Sequence, residues 1–330
     1  MMLTLLRIGS VRFSAYYFVS LFTGLHLTGR DSTRWIILAA GASILGCLAI
    51  ELLNRVTDET EDRINNPLRC LLCDRIGYKR LRSLSVTLFA VVSILGVIVW
   101  WKTSGSMAIF VLMCLTILIM YNYSASLRLK QYRWGVLVVL SLPFIFPFLL
   151  AWAAYGPLRA FPIAVLFLPL FAATISGAKD ITDIAGDLQR NYHSVFVQLI
   201  GSPTQHKVRL LVLLLAPHVF LILLVALGLS PVRLLMLIGL LPLSFIYIVL
   251  CRHAQTTLQN AVMREWLYQL LFIAECATLF LIAPSARLAA VFAGAIVFWI
   301  IASRWLHWRA GLTSDHMFVA AGILKAGYRA

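Results

Sequence analysis

Two sets of aspartates carry the chemistry open to this sequence. Asp58 and Asp62 stand four residues apart in Asn54-Arg-Val-Thr-Asp58-Glu-Thr-Glu-Asp62, and Asp180, Asp183 and Asp187 follow Lys179 at i, i+3 and i+7. Glu51, Glu59, Glu61 and Asp74 surround the first set, so most of the 13 acidic residues fall in two places. On a helix that continues through either segment, this spacing puts the carboxylates on one face, where like charges repel. A cation between the oxygens relieves the repulsion. Carboxylate-rich sets suit Mg2+, above all when phosphate oxygens complete the octahedron. Asp58 and Asp183 are 125 residues apart, as are Asp62 and Asp187. That register predicts an internal duplication with two facing clusters that form a metal-bridged diphosphate site. The competing reading is of solvated helix ends whose acids balance nearby Lys and Arg, and it explains one cluster better than two in register.

The elements that must position these residues are membrane helices. Of 330 residues, 61% are hydrophobic and only 12% charged, too little polar material to coat a soluble domain. Apolar runs of about 20 residues recur along the chain, the length a helix needs to cross a bilayer. They do not alternate, which excludes a β-barrel. Breaks at charged and turn-forming clusters predict helices at 11–29, 34–54, 82–101, 106–122, 134–155, 160–178, 207–228, 231–251, 266–283 and 287–305. The expected fold is an all-α, polytopic transmembrane bundle of nine or ten spans. It is one domain over 1–330, with four-helix repeats at about 11–130 and 134–251 and two further spans within 266–305.

With the loops assigned alternately, 22 of the 28 Lys and Arg residues fall on the side that holds both aspartate clusters, which the positive-inside rule makes cytoplasmic. The net charge of +15 is then explained by topology and anionic lipid, and a nucleic-acid partner is not expected. The first span reads as a retained signal anchor.

Cys70 and Cys73 form the sole Cys-x-x-Cys pair, but no second pair or nearby His completes a zinc site, so they read as small residues in an ordered loop. Glu275 lies mid-span, where a charge is expensive, and is either functional or helix-packing glue. Tyr121, Asn122 and Tyr123 are further candidates to contact a substrate. His193 follows the second aspartate set, where a solvated loop histidine is the commoner case.

These residues also carry a resemblance. Asn54-Arg-Val-Thr-Asp58-Glu-Thr-Glu-Asp62-Arg-Ile-Asn65-Asn-Pro67 resembles the first aspartate-rich motif of the UbiA-type intramembrane prenyltransferases, and Lys179-Asp180-Ile-Thr-Asp183-Ile-Ala-Gly186-Asp187 the second. Tyr123-Ser-Ala-Ser-Leu127-Arg128-Leu-Lys130 is similar to a third conserved stretch of that family. In motif form the homogentisate-type aromatic prenyltransferases are the nearest. The resemblance implies a bundle around a central cavity, with Mg2+ held by Asp58, Asp62, Asp180, Asp183 and Asp187. It implies a diphosphate met by Asn54, Arg55, Arg69, Arg128, Lys130 and Lys179. Arg55 departs from the pattern, because the family's commonest form has Asp there. Its guanidinium either contacts diphosphate, or faces away or pairs with Glu51 or Glu59. Cys70 and Cys73 stand where the family usually has Pro and Ser, and Asn191, Ser194 and Phe196 also depart from common choices after the second motif.

The implied reaction is electrophilic alkylation. The allylic C–O bond of an isoprenyl diphosphate ionises, pyrophosphate leaves with the electron pair, and a lipophilic, most simply aromatic, acceptor captures the carbocation. A UbiA-type terpene cyclase, in which the cation closes on its own double bonds, is the alternative. A transporter is disfavoured, since its acids would lie at the membrane midplane.

Overall fold

The computed structural model describes residues 2–103, 106–124, 129, 132, 141–176, 205–253 and 257–308. Among them there is no β-strand. The helices are α1 (Met2–Ile8), α2 (Ser14–Leu27), α3 (Thr33–Thr57), α4 (Glu59–Asn65), α5 (Pro67–Ile76), α6 (Tyr78–Lys102), α7 (Met107–Ser124), α8 (Phe146–Tyr155), α9 (Phe167–Ser176), α10 (Gln205–Ala226), α11 (Leu240–His253), α12 (Thr257–Ile282) and α13 (Ala286–Trp305).

Among the described residues, five helical stretches are long and apolar enough to cross a bilayer: Thr33–Thr57, Tyr78–Lys102, Val232–Cys251, Val262–Ile282 and Ala286–Trp305. Four shorter apolar helices accompany them. Their outward faces are apolar too. α6 buries Leu81 and Ser85 but exposes Val86, Ile94, Ile98 and Trp101, an arrangement costly in water and natural against acyl chains. The chain is an integral membrane protein.

The chain divides into two compact units. The first comprises Met1–Leu129, Pro143–Phe161 and Ala283–Gly311. Here α2 packs against α3, α8 and α13, and α3 packs against α6. Gly24 lets α2 and α8 approach closely, since a Cβ there would lie 2.8 Å from the Ala151 Cβ and 2.9 Å from the Phe148 carbonyl oxygen. The Ser20 hydroxyl donates to the Phe144 carbonyl at 3.1 Å. The Tyr16 ring meets Phe144 and Trp299 edge-on, each with centroids 5.1 Å apart.

Both ends of α13 are tied down within this unit. At its start Ser285 accepts from the Leu288 amide at 3.1 Å and sits 3.2 Å from the His26 ring. At its end the Trp305 carbonyl, one of the acceptors a helix C-terminus leaves open, takes a 3.1 Å hydrogen bond from Arg7 Nε. Arg12, buried, donates to Ser303 and lies over the Trp299 ring.

The second unit comprises Lys130–Leu142, Pro162–Ile282 and Leu312–Ala330. α9 packs on α10, where Phe167 and Phe171 meet the buried His218 ring edge-on. α12 packs against α9 and α11, and Arg233 caps its C-terminal carbonyls at Leu281 and Ile282.

Helix ends depart from hydropathy where polarity and helicity part company. α12 starts at Thr257, nine residues before the apolar run expected from 266, because Thr257–Glu265 continues the helix beyond the apolar zone. The span expected at 231–251 opens as a 3-10 helix over Val232–Gly239 before α11. α4, which carries Asp62, and α5, which follows it, are short helices that no hydropathy window reveals.

Candidate metal and diphosphate site

The first aspartate set is built at a bend between α3 and α4. Asp58 occupies the junction with φ −100° and ψ 13°, the bridge region between helix and turn. The set therefore does not lie on one continuous helix. The ladder still crosses the bend, through Asp58 N to Asn54 O at 2.9 Å and Asp62 N to Asp58 O at 2.8 Å. Thr57 helps to end α3, since its hydroxyl bonds back to the Leu53 carbonyl at 3.1 Å and also reaches the Asp58 carboxylate at 3.2 Å. Pro67 ends α4 in turn, because the residue before a proline is pushed out of the helical region, and Asn66 stands at φ −143° and ψ 55°.

Asp62 is buried and its carboxylate is asymmetrically held. Oδ1 accepts from Asn66 Nδ2 at 3.3 Å and from the Arg69 guanidinium. Oδ2 faces Arg55 Nη1 at 3.9 Å, beyond hydrogen-bond reach. Burial alone would raise the Asp62 pKa, but the Arg69 and Arg55 charges and the Arg69 and Asn66 hydrogen bonds outweigh it and hold the carboxyl below the usual carboxylate range. Arg69 in turn lies under the Trp308 ring, 5.3 Å from its centroid, just past the end of α13.

Arg55 is buried and engaged within the fold. Its Nε donates to the Ile8 carbonyl at 3.2 Å, and Nη2 pairs with Glu51 one turn earlier on α3. Of the two partners expected from sequence, Glu51 is the one it takes. Glu59 pairs instead with the exposed Arg63 at 2.8 Å, which also bridges to Asp74 at 2.9 Å.

The structure thus brings together Asn54, Arg55, Asp58, Asp62 and Arg69. Asp180, Asp183, Asp187, Lys179, Arg128, Lys130 and His193 lie outside the described residues, as does the Tyr123 side chain. Tyr121 is exposed near the end of α7, and Asn122 donates to the Leu118 carbonyl at 2.7 Å. Glu275 is fully buried in α12, and neither carboxylate oxygen has a hydrogen-bond partner among the described residues. Cys70 and Cys73 are buried free thiols, and Cys73 packs with Ile8, Leu52 and Leu81. Burial pushes the Cys73 thiol up to about 11 against the pull of Arg55 and Arg69, so the pair is core packing rather than a thiolate site.

Sequence reasoning did not find Asn66 or Trp308. The i, i+4 and i, i+7 spacing of Asp62, Asn66 and Arg69 carried a signal for the first. Nothing local marks Trp308.

Among the described residues no three His, Cys, Asp or Glu side chains come together as a metal cluster. The residues present nevertheless fit a hard cation. Asp58 and Asp62 offer oxygen ligands, and among the described residues Asp62 Oδ2 takes no hydrogen bond, only the 3.9 Å approach of Arg55, while its twin is anchored.

Residues 17–266 match the UbiA prenyltransferase family. This chain belongs to that family. Over 156 residues it is 31% identical to the digeranylgeranylglyceryl phosphate synthase of Sulfurisphaera tokodaii, covering 45% of this UbiA-family chain and 51% of that enzyme. The chain thus spans about half the length of this curated relative. A structure from work on digeranylgeranylglyceryl phosphate synthase in membranes shares the fold, with TM-score 0.59 at 17% identity over 85% of this chain and 99% of the other. A UbiA homolog from Archaeoglobus fulgidus, bound to DMAPP and Mg2+, aligns over 99% of this chain and 97% of its own at 16% identity and TM-score 0.45.

Proposed function

We propose that this UbiA-family chain is a Mg2+-dependent intramembrane prenyltransferase that ionises an isoprenyl diphosphate and transfers the prenyl group to a lipophilic acceptor, releasing pyrophosphate. The observation that carries the reading is the buried Asp62 carboxylate, ionised, anchored through Oδ1 and without a hydrogen bond at Oδ2 among the described residues, one turn from Asp58 and beside the cations Arg55 and Arg69. Mg2+ bound there supplies positive charge against the diphosphate. Asp58 and Asp62, with Asp180, Asp183 and Asp187 of the second motif, are its proposed ligands. Asn54, Arg55, Arg69, Arg128, Lys130 and Lys179 are the proposed diphosphate contacts.

The chain's own residues then do three things. The cations stabilise the charge that develops on the leaving pyrophosphate as the allylic C–O bond breaks. The apolar helices exclude water that would quench the carbocation. Glu275, Tyr121, Asn122 and Tyr123 are the proposed contacts for the prenyl chain or the acceptor, and the acceptor's nucleophile captures the cation and gives up its proton. The homogentisate-like motif form favours an aromatic acceptor, whereas the Sulfurisphaera relative's name points to a glyceryl phosphate. The architecture that goes with this reading has nine or ten spans in two four-helix repeats around a cavity, with the site at the cytoplasmic face.

The test is incubation of detergent-purified protein with Mg2+ and geranyl, farnesyl or geranylgeranyl diphosphate, with and without aromatic and glyceryl phosphate acceptors, followed by mass spectrometry. Pyrophosphate together with a prenylated acceptor, formed only when acceptor is present, supports transfer. A cyclic hydrocarbon or alcohol formed without acceptor would make the chain a cyclase. Full activity in Asp58→Ala would remove the site assignment.

A further inference from the structure

The C-terminal end of α13 reaches the first aspartate set through one aromatic ring. Trp308 covers the Arg69 guanidinium at 5.3 Å, and Arg69 donates to Asp62 Oδ1. The placement of Trp308 is itself enforced, because Arg7 binds the Trp305 carbonyl and Arg12 binds Ser303, so the end of α13 is tied to the N-terminal elements. A guanidinium has one plane and one set of in-plane donors. The indole over its face holds the orientation of that plane, and one of the in-plane donors goes to Asp62. Asn66 binds the same oxygen at 3.3 Å, which leaves Oδ2 without a hydrogen bond among the described residues and facing Arg55 Nη1 at 3.9 Å.

We infer that Trp308 is a positioning residue for the metal site: lying over Arg69, it fixes the Asp62 carboxylate with Oδ1 anchored, so that Oδ2, which takes no hydrogen bond among the described residues, is the oxygen left for a divalent cation. Groups behind a metal ligand that set its orientation change metal affinity by about 10- to 100-fold when lost. Trp308 follows α13 and lies far along the chain from Arg69, so the end of a late helix contributes to the first motif. The inference rests on Asp62 being a metal ligand, as proposed above.

The experiment is Mn2+ binding to the full-length, detergent-purified protein, read by the loss of the free-ion EPR signal, with melting in EDTA as the control for folding. Trp308→Ala is expected to weaken Mn2+ binding about tenfold, and Trp308→Phe, which keeps a ring face, to restore most of it. If Trp308→Ala lowers the melting temperature in EDTA, Trp308→Leu keeps the bulk without the π face and takes its place. Wild-type affinity in a folded variant without the ring would overturn the inference. Asp62→Asn separates the two claims. If it binds Mn2+ as the parent does, Asp62 is no ligand and the underlying reading fails first. If it loses binding while the Trp308 variants keep it, only the role of Trp308 falls.

Discussion

Glu51 and Arg55, one turn apart on α3, form a part-buried ion pair whose buried cation also lies 3.9 Å from Asp62 Oδ2. In this chain a guanidinium therefore stands where the common form of the family's first motif has a third carboxylate, and the fold supplies its counter-charge from the preceding turn. Removing one partner of such a pair leaves an uncompensated buried charge, at a cost of about 3–5 kcal/mol.

Arg55→Asp should accordingly melt at lower temperature in EDTA, since it places a third acid beside Glu51 and Asp62. Mg2+ should then raise its melting temperature by more than it raises that of the parent. Equal Mg2+ shifts in the two proteins would show that position 55 does not face the cation.

Gly24→Val should loosen the contact between α2 and α8. The new side chain meets the Phe148 carbonyl oxygen, which is backbone and cannot swing aside, and such overpacking costs about 1–3 kcal/mol. Gly41→Ala, with nothing within 4 Å of the new Cβ, is the matched control. Thermal unfolding in detergent should separate them, and identical melting would refute the close approach.

Cys73 should resist alkylation. Its folded-state pKa of about 11 lies above the ordinary value of 9.0, so the folded chain keeps a proton that the unfolded chain releases. The associated stabilisation is complete below about pH 9 and is lost as pH rises through about 11. Iodoacetamide mapping by mass spectrometry at pH 8 should find Cys73 labelled far more slowly than in denatured protein. Labelling at the denatured rate would contradict the burial.

Glu275→Leu should stabilise the protein and impair it. A buried carboxyl without a hydrogen-bond partner among the described residues costs about 1–3 kcal/mol, which an apolar side chain of similar size recovers. A higher melting temperature with a fall in prenylated product of tenfold or more is the expected pair of results. Unchanged turnover would leave Glu275 without a part in the reaction.

The sequence by itself determined the helical, membrane-embedded class and the position of the first acidic motif, because both are written in local patterns. Hydropathy over about 20 residues marks a span, and the four-residue interval between Asp58 and Asp62 marks a shared neighbourhood on a helical backbone. Only the tertiary structure decided which way Arg55 turns, since Glu51, Glu59 and a diphosphate are all within reach of a long side chain. The Ile8 carbonyl, brought in by α1, settles its direction.

The bend at Asp58 likewise depends on Thr57 hydroxyl bonding that no periodicity encodes. The placing of α13 against α2, and with it Trp308 over Arg69, joins residues from opposite ends of the chain. Such contacts are set by the packing of whole helices, and a packed interface leaves no trace in the spacing of either segment alone.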